Sequence, residues 1–185
     1  MRILAFAGST RKESYNRKLL ALVADAATKA GAEVTLVDLA DYAMPIYNGD
    51  LEAASGVPEN AEKLKTLLRQ SDLLLIATPE YNGFFPALLK NTIDWMTRPV
   101  GEDKNCAAFQ GKHGAIVSAS PSGYGGTRAQ GHLRTLLTNI GVQVREETVS
   151  VPSAFKVFDG GASPDAALLE EITKLGAQLA AASVA

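Results

Sequence analysis

The stretch GSTRKESYNRKLL, Gly8 to Leu20, follows directly on the apolar run Ile3 to Ala7 and carries Ser9, Thr10, Arg11, Ser14, Tyr15 and Asn16 into a helical pattern. Hydroxyl, amide and guanidinium donors gathered where a strand gives way to a helix suit an anion. The first turn of a helix leaves backbone N–H groups without partners, and its dipole favours negative charge. A phosphate monoester, with three oxygens to be met by donors, fits such a set. Neither the GxGxxG of a dinucleotide cradle nor the GxxxxGK[ST] of a nucleoside-triphosphate loop is present. Ser14 also reads as a helix N-cap, a role that needs no ligand. Asp38, at the end of the second apolar run, reads either as an acid for a nucleoside ribose or, lacking the glycine pattern, as a turn residue.

A second polar turn lies in TPEYNGFFPALLKNTIDW, Thr78 to Trp95. Pro79 and Gly83 force the turn and Pro86 is placed to start a helix. A tight turn accounts for these residues but leaves Tyr81 and Asn82 unexplained. Phe84, Phe85 and Trp95 read as an apolar wall beside a pocket or as core or subunit packing. His113 and His132 have no acidic or cysteine partner at ligand spacing, which argues against a metal site. Arg128 and His132 share one helical face, which suits a salt-bridged surface or a place beside a nicotinamide nucleotide phosphate. The single cysteine, Cys106, precludes an internal disulfide and points to a reducing compartment.

The elements that must position these turns alternate along the chain. Strands are predicted over residues 2–7, 33–38, 72–78, 113–119 and 143–151. Helices are predicted over 16–29, 58–70, 86–96, 126–139 and 164–183. The strand runs are apolar without alternation, as in a parallel sheet covered on both faces. That pattern predicts a doubly wound α/β fold with a five-stranded parallel sheet, helices on both faces, and one domain over residues 1–185. Leu39 to Gly56 and residues 97–112 interrupt the alternation, and long connections of this kind are commonly functional.

Composition narrows the function. The formal net charge is -2 and the pI about 5.7, without a basic block, which excludes nucleic acid or an anionic membrane as the main partner. No stretch approaches the roughly 18 apolar residues of a membrane span. The amino end is too short in its apolar run for a signal peptide. A cytoplasmic protein is expected.

Together, GSTRKESYN and PEYNGFFPALLKNTIDW resemble the NADPH-dependent FMN reductase family of flavodoxin-like quinone, chromate and azo-dye reductases. SASPSGYGGTRAQGHLRTLLTNIG is similar to the family's third segment and MPIYNGD to its proline-containing loop, so the likeness runs from Arg2 to about Val151. The resemblance implies that Ser9, Arg11, Ser14, Tyr15 and Asn16 hold the FMN phosphate. It further implies that Pro79, Glu80, Tyr81, Asn82 and Gly83 line the ring and ribityl chain, and that Ser118, Ser120 and Gly123 close the pocket. Phe84 and Ala87 depart from the family's small or hydroxyl residue and glycine at those positions, which bears on substrate access or the subunit contact.

The activity so implied passes a hydride from NADPH or NADH to FMN and then to a quinone, flavin, azo compound or chromate. No side chain is assigned as a catalytic acid or base. The resemblance also implies a homodimer or homotetramer with each flavin site completed at a subunit boundary. A flavodoxin-type electron carrier is the alternative, for which a net charge of -2 is weak support. A third reading is a non-redox module that grips another phosphorylated metabolite.

Overall fold

The computed structural model describes residues 1–159 and 164–181. Its strands are β1 (Arg2–Ala7), β2 (Glu33–Val37), β3 (Leu73–Ala77), β4 (His113–Ala119), β5 (Gln143–Val144) and β6 (Ser150–Val151). All pairings are parallel, in the order β2-β1-β3-β4-β5, with β6 also on β4. The helices are α1 (Tyr15–Lys29), α2 (Gly49–Ser55), α3 (Glu59–Gln70), α4 (Ala87–Met96), α5 (Thr127–Asn139), α6 (Ala154–Phe158) and α7 (Ala166–Ala180). The predicted last helix is thus α7, and residues 182 and 183 of that prediction lie outside the described residues.

Strand periodicity divides the core into two layers. Ile3, Ala5, Ala7, Leu73, Leu75, Ala77, Ala115 and Val117 face α1, α6 and α7. Leu4, Phe6, Leu74, Ile76 and Ile116 face α3, α4 and α5. Both sets are buried, which explains why these runs read as continuously apolar. Asn16, Leu19, Leu20, Val23, Ala24 and Ala27 recur at helical spacing on the buried face of α1. At Gly176 the backbones of α7 and α1 approach closely, since an added Cβ would lie 2.6 Å from the Ala26 carbonyl carbon.

The expected fifth strand, residues 143–151, is two strands, so the sheet has six. β5 pairs with the start of β4, through His113 opposite Gln143, and β6 with its end, through Ala119 opposite Val151. Between them lie Arg145, Glu146 and Glu147, three consecutive charges that a strand buried on both faces cannot carry. The chain bows outward there and leaves both glutamates exposed.

The long connection after β2 is ordered. A 3-10 turn over Leu39–Tyr42 leads through an extended segment into α2, which has no buried residue. α4 holds that segment from outside. Asn91 Nδ2 and Trp95 Nε1 donate to the Pro45 carbonyl at 2.9 and 2.8 Å, and the Tyr47 N–H donates to Asn91 Oδ1 at 2.8 Å. Trp95 and Phe85 therefore belong to the core, and only Phe84 of the three expected wall residues is exposed, stacked on His132 with ring centroids 4.3 Å apart.

Candidate functional site

Three connections leave the carboxyl ends of β1, β3 and β4 and converge on one cleft of about 540 Å³. In open parallel sheets ligands bind at this end, where the strand order reverses, here between β1 and β3. The cleft is lined by Ser9, Arg11, Ser14, Tyr15 and Asn16 from the first connection and Pro79 to Gly83 from the second. Ala119 to Ser122 and Arg128 complete it.

The first connection supplies donors. Ser14 sits at the N-cap of α1 in extended conformation, but its hydroxyl makes no capping bond although the residue is only 2% exposed. The bland N-cap role therefore does not account for it. Ser9 is buried, and its Oγ accepts a long bond of 3.4 Å from the Arg11 N–H, which leaves its own proton to donate. Arg11 folds back to give a hydrogen bond of 2.9 Å to the Glu13 carbonyl, with its guanidinium carbon 5.4 Å from the Tyr15 ring centre. The Tyr15 hydroxyl donates to Asp159, and this bond holds the phenol above its usual pKa. Asn16 lines the cleft and also braces it. Its Nδ2 donates to the Ala119 carbonyl at 2.8 Å and its Oδ1 accepts from the Ala119 N–H at 2.9 Å, which ties the loop to the end of β4.

The second connection supplies shape. Asn82 and Gly83 have φ values of 54° and 83° and sit between Tyr81 and Phe84, which exchange both backbone hydrogen bonds at 2.9 and 3.0 Å. Two positive-φ residues closing a two-residue hairpin are the geometry that Asn-Gly favours. Behind this turn the Glu80 carboxylate, 4% exposed, accepts from Arg128 Nε at 2.8 Å, from Arg128 Nη2, and from the Ala129 N–H at 3.3 Å. Burial pushes the Glu80 pKa up, but these hydrogen bonds and the Arg128 charge outweigh it, and the group titrates below the usual glutamate range. The Arg128 guanidinium carbon lies 4.6 Å from the Tyr124 ring centre. The expected salt-bridged face at Arg128 is thus part of the cleft wall.

Two expected residues do not reach the wall. Ser118 is fully buried, donating to the Gly125 carbonyl at 2.6 Å and accepting from Gln130 Nε2 at 2.7 Å, so it braces the loop from behind. Gly123 lies beyond the lining residues. The wall is instead Ala119, Ser120, Pro121 and Ser122, because β4 ends at Ala119 and the chain turns across the cleft there. The end of the apolar run at Ala119 was the available signal for this placement. Among the described residues no group of three or more His, Cys, Asp or Glu side chains could hold a metal ion.

A β2-β1-β3-β4-β5 parallel sheet with a donor-rich loop after β1 and polar turns after β3 and β4 defines the flavodoxin-like class of phosphate-anchored binding proteins. The chain belongs to the NADPH-dependent FMN reductase family, whose profile matches residues 1–156. It is 37% identical over 160 residues to an NAD(P)H-dependent FMN reductase of Pseudomonas aeruginosa, covering 86% of this chain and 82% of the relative. It is 38% identical over 168 residues to a quinone reductase of Pseudomonas putida, covering 91% and 81%. The solved structure of FerB, a flavoenzyme NAD(P)H:(acceptor) oxidoreductase from Paracoccus denitrificans, superposes with a TM-score of 0.75 at 30% identity, over 95% of this chain and 94% of that one.

The donor set fits an FMN phosphate. Ser9 and Ser14 have hydroxyl protons to give at the start of α1, and Arg11 stands beside them. The turn over Pro79–Gly83 gives a fixed backbone edge for a flat heterocycle.

Proposed function

We propose that the chain, acting as one flavodoxin-like domain, is an FMN-dependent NAD(P)H oxidoreductase that reduces quinones. When bound, FMN would supply the redox chemistry that links a reduced nicotinamide to a second substrate. Ser9, Ser14 and the first backbone N–H groups of α1 hold the phosphate, and Asn16 keeps that loop in register with β4. Asn82 and Gly83 hold the backbone under the ring, and the Glu80–Arg128 pair fixes this turn against α5. Tyr81, 57% exposed, stands at the open side where nicotinamide and acceptor take turns. The single observation that carries the reading is Ser14, a buried residue at the start of α1 that lines the cleft and whose hydroxyl makes no capping bond.

Family membership favours nicotinamide turnover over a flavodoxin-type carrier, and relatives named quinone reductases support a quinone over flavin, azo compounds or chromate. The exposed side chains Phe84 and Tyr124 support a homo-oligomer whose boundary lies beside the cleft. No helix among the described residues is long and apolar enough to cross a membrane. The cytoplasm suits the single cysteine and a reduced nicotinamide donor.

The test is an anaerobic titration of the yellow protein. NADPH or NADH bleaches the flavin absorbance near one equivalent, and a benzoquinone then restores it. A flavin that stays oxidised under excess nicotinamide would overturn the oxidoreductase reading.

A further inference from the structure

We propose that the chain also accepts flavin adenine dinucleotide, with the adenosine half lodged in a second cavity beside the phosphate loop. The proposal rests on the reading of Ser9–Asn16 as the flavin-phosphate site. The second cavity, of about 280 Å³, is lined by Ala7, Ser9, Arg17, Leu20, Ala21, Leu36, Val37 and Asp38. It lies between α1 and the carboxyl end of β2, at the ligand-binding end of the sheet. Ser9 lines both cavities, so the two adjoin at the residue that the proposed function assigns to the flavin phosphate.

The lining has the chemistry of a nucleoside site. Leu36 is 54% exposed, a large apolar side chain left on the surface. Its register partner is Ala5, so it lies on the sheet face that packs on α1, where Leu20 and Ala21 line the same cavity. Together they offer an apolar slot for one heterocycle. At one end Asp38 closes the slot. Its Oδ1 accepts from the Ala40 N–H at 3.0 Å and its Oδ2 pairs with Arg17 Nη2 at 2.8 Å. A carboxylate has about four acceptor positions, so capacity remains for ribose hydroxyls. The Arg17 guanidinium carries five N–H donors, of which the ion pair engages the Nη2 end, and the others suit a second phosphate. The volume is at the small end of ligand sites, which run from about 300 Å³ upward, and suits a nucleoside rather than a whole dinucleotide.

The test is direct titration of the flavin-stripped protein with FMN and with FAD, followed by flavin fluorescence. In the unmodified protein FAD binds within about tenfold of FMN, a difference of no more than about 1.4 kcal/mol. Leu36→Glu, at an exposed position, weakens FAD by about tenfold or more and leaves FMN unchanged. Arg17→Gln, which removes the guanidinium and keeps the apolar side chains of the slot, moves the same ratio in the same direction. An FAD-to-FMN ratio untouched by both variants overturns the proposal, as does absence of FAD uptake by a protein that binds FMN. Loss of ADP-ribose binding to FMN-loaded Leu36→Glu, with FAD binding unmoved, assigns the slot to the hydride donor and also overturns it. Failure of FMN itself to bind overturns the underlying flavin reading instead.

Discussion

At one end of the cleft Ser14 is buried without a capping bond and Ser9 keeps its proton, whereas at the other end the Glu80 carboxylate and the hairpin backbone of the turn after β3 are already engaged. Tyr81 and Phe84 bond to each other, Glu80 to Arg128 and Ala129, and the Thr78 hydroxyl to the Pro79 carbonyl at 2.9 Å. The contrast separates two ways of holding one ligand. Spare donors at a helix start supply charge-assisted hydrogen bonds, and a turn held by its own backbone and ion-pair bonds supplies a surface of fixed shape. Affinity should therefore reside mainly at the loop after β1 and orientation mainly at the turn after β3.

The largest expected effect comes from reversing the charge preference at the donor end. Ser14→Asp places a carboxylate against the phosphate and should cost roughly 3 kcal/mol of FMN binding, about a hundredfold in Kd. Riboflavin, which lacks the phosphate, should bind this variant as it binds the unmodified protein. Fluorescence titration with both ligands checks this, and equal losses for both would show that Ser14 acts on the fold rather than on the phosphate.

A smaller effect should follow at the shaped end. Gly83 holds φ at +83°, and a β-branched residue in the left-handed region is strained by about 1–2 kcal/mol. Gly83→Val should lower FMN affinity by up to about tenfold and lower the Tm. Because the phosphate loop is unchanged, the ratio of FMN to riboflavin affinity should stay where it was.

The smallest effect is expected far from the cleft, where Arg2 and Asp72 pair at the amino ends of β1 and β3. The Arg2 side chain and its backbone N–H hold the Asp72 carboxyl well below the usual range, at a pKa of about 2. A depressed carboxyl pKa stabilises the fold above its unfolded value, near 3.8, and that contribution is lost as pH falls toward 2. Arg2 is 56% exposed, so solvent screens the pair and its contribution is small. Urea unfolding between pH 4 and pH 2 should show a smaller loss in Asp72→Asn than in the unmodified protein, the remainder coming from other paired carboxylates such as Glu80. FMN affinity at neutral pH should be the same in both.

The sheet was legible wherever burial on both faces forced an unbroken apolar run, as in Leu73–Ala77, and misread where Arg145, Glu146 and Glu147 broke the run into β5 and β6. The connection Leu39–Gly56 carries no buried helical stripe, and its order comes from Asn91 and Trp95 on α4, contacts without a local signature. The donor loop was readable because the side chains that define it are contiguous. At the third connection Ser118, Ser120 and Gly123 were expected, and of these only Ser120 lies in the wall of Ala119 to Ser122, since which residues face the cleft depends on where β4 stops. The Glu80–Arg128 pair joins residues 48 apart, and nothing in either segment announces the other.

The central claim, that the loop after β1 grips a phosphate and so anchors a flavin, is tested most directly by comparing FMN and riboflavin on the flavin-stripped protein. The account predicts FMN tighter by about a hundredfold or more, the worth of two or three charge-assisted hydrogen bonds. Equal affinities for the two flavins would contradict it.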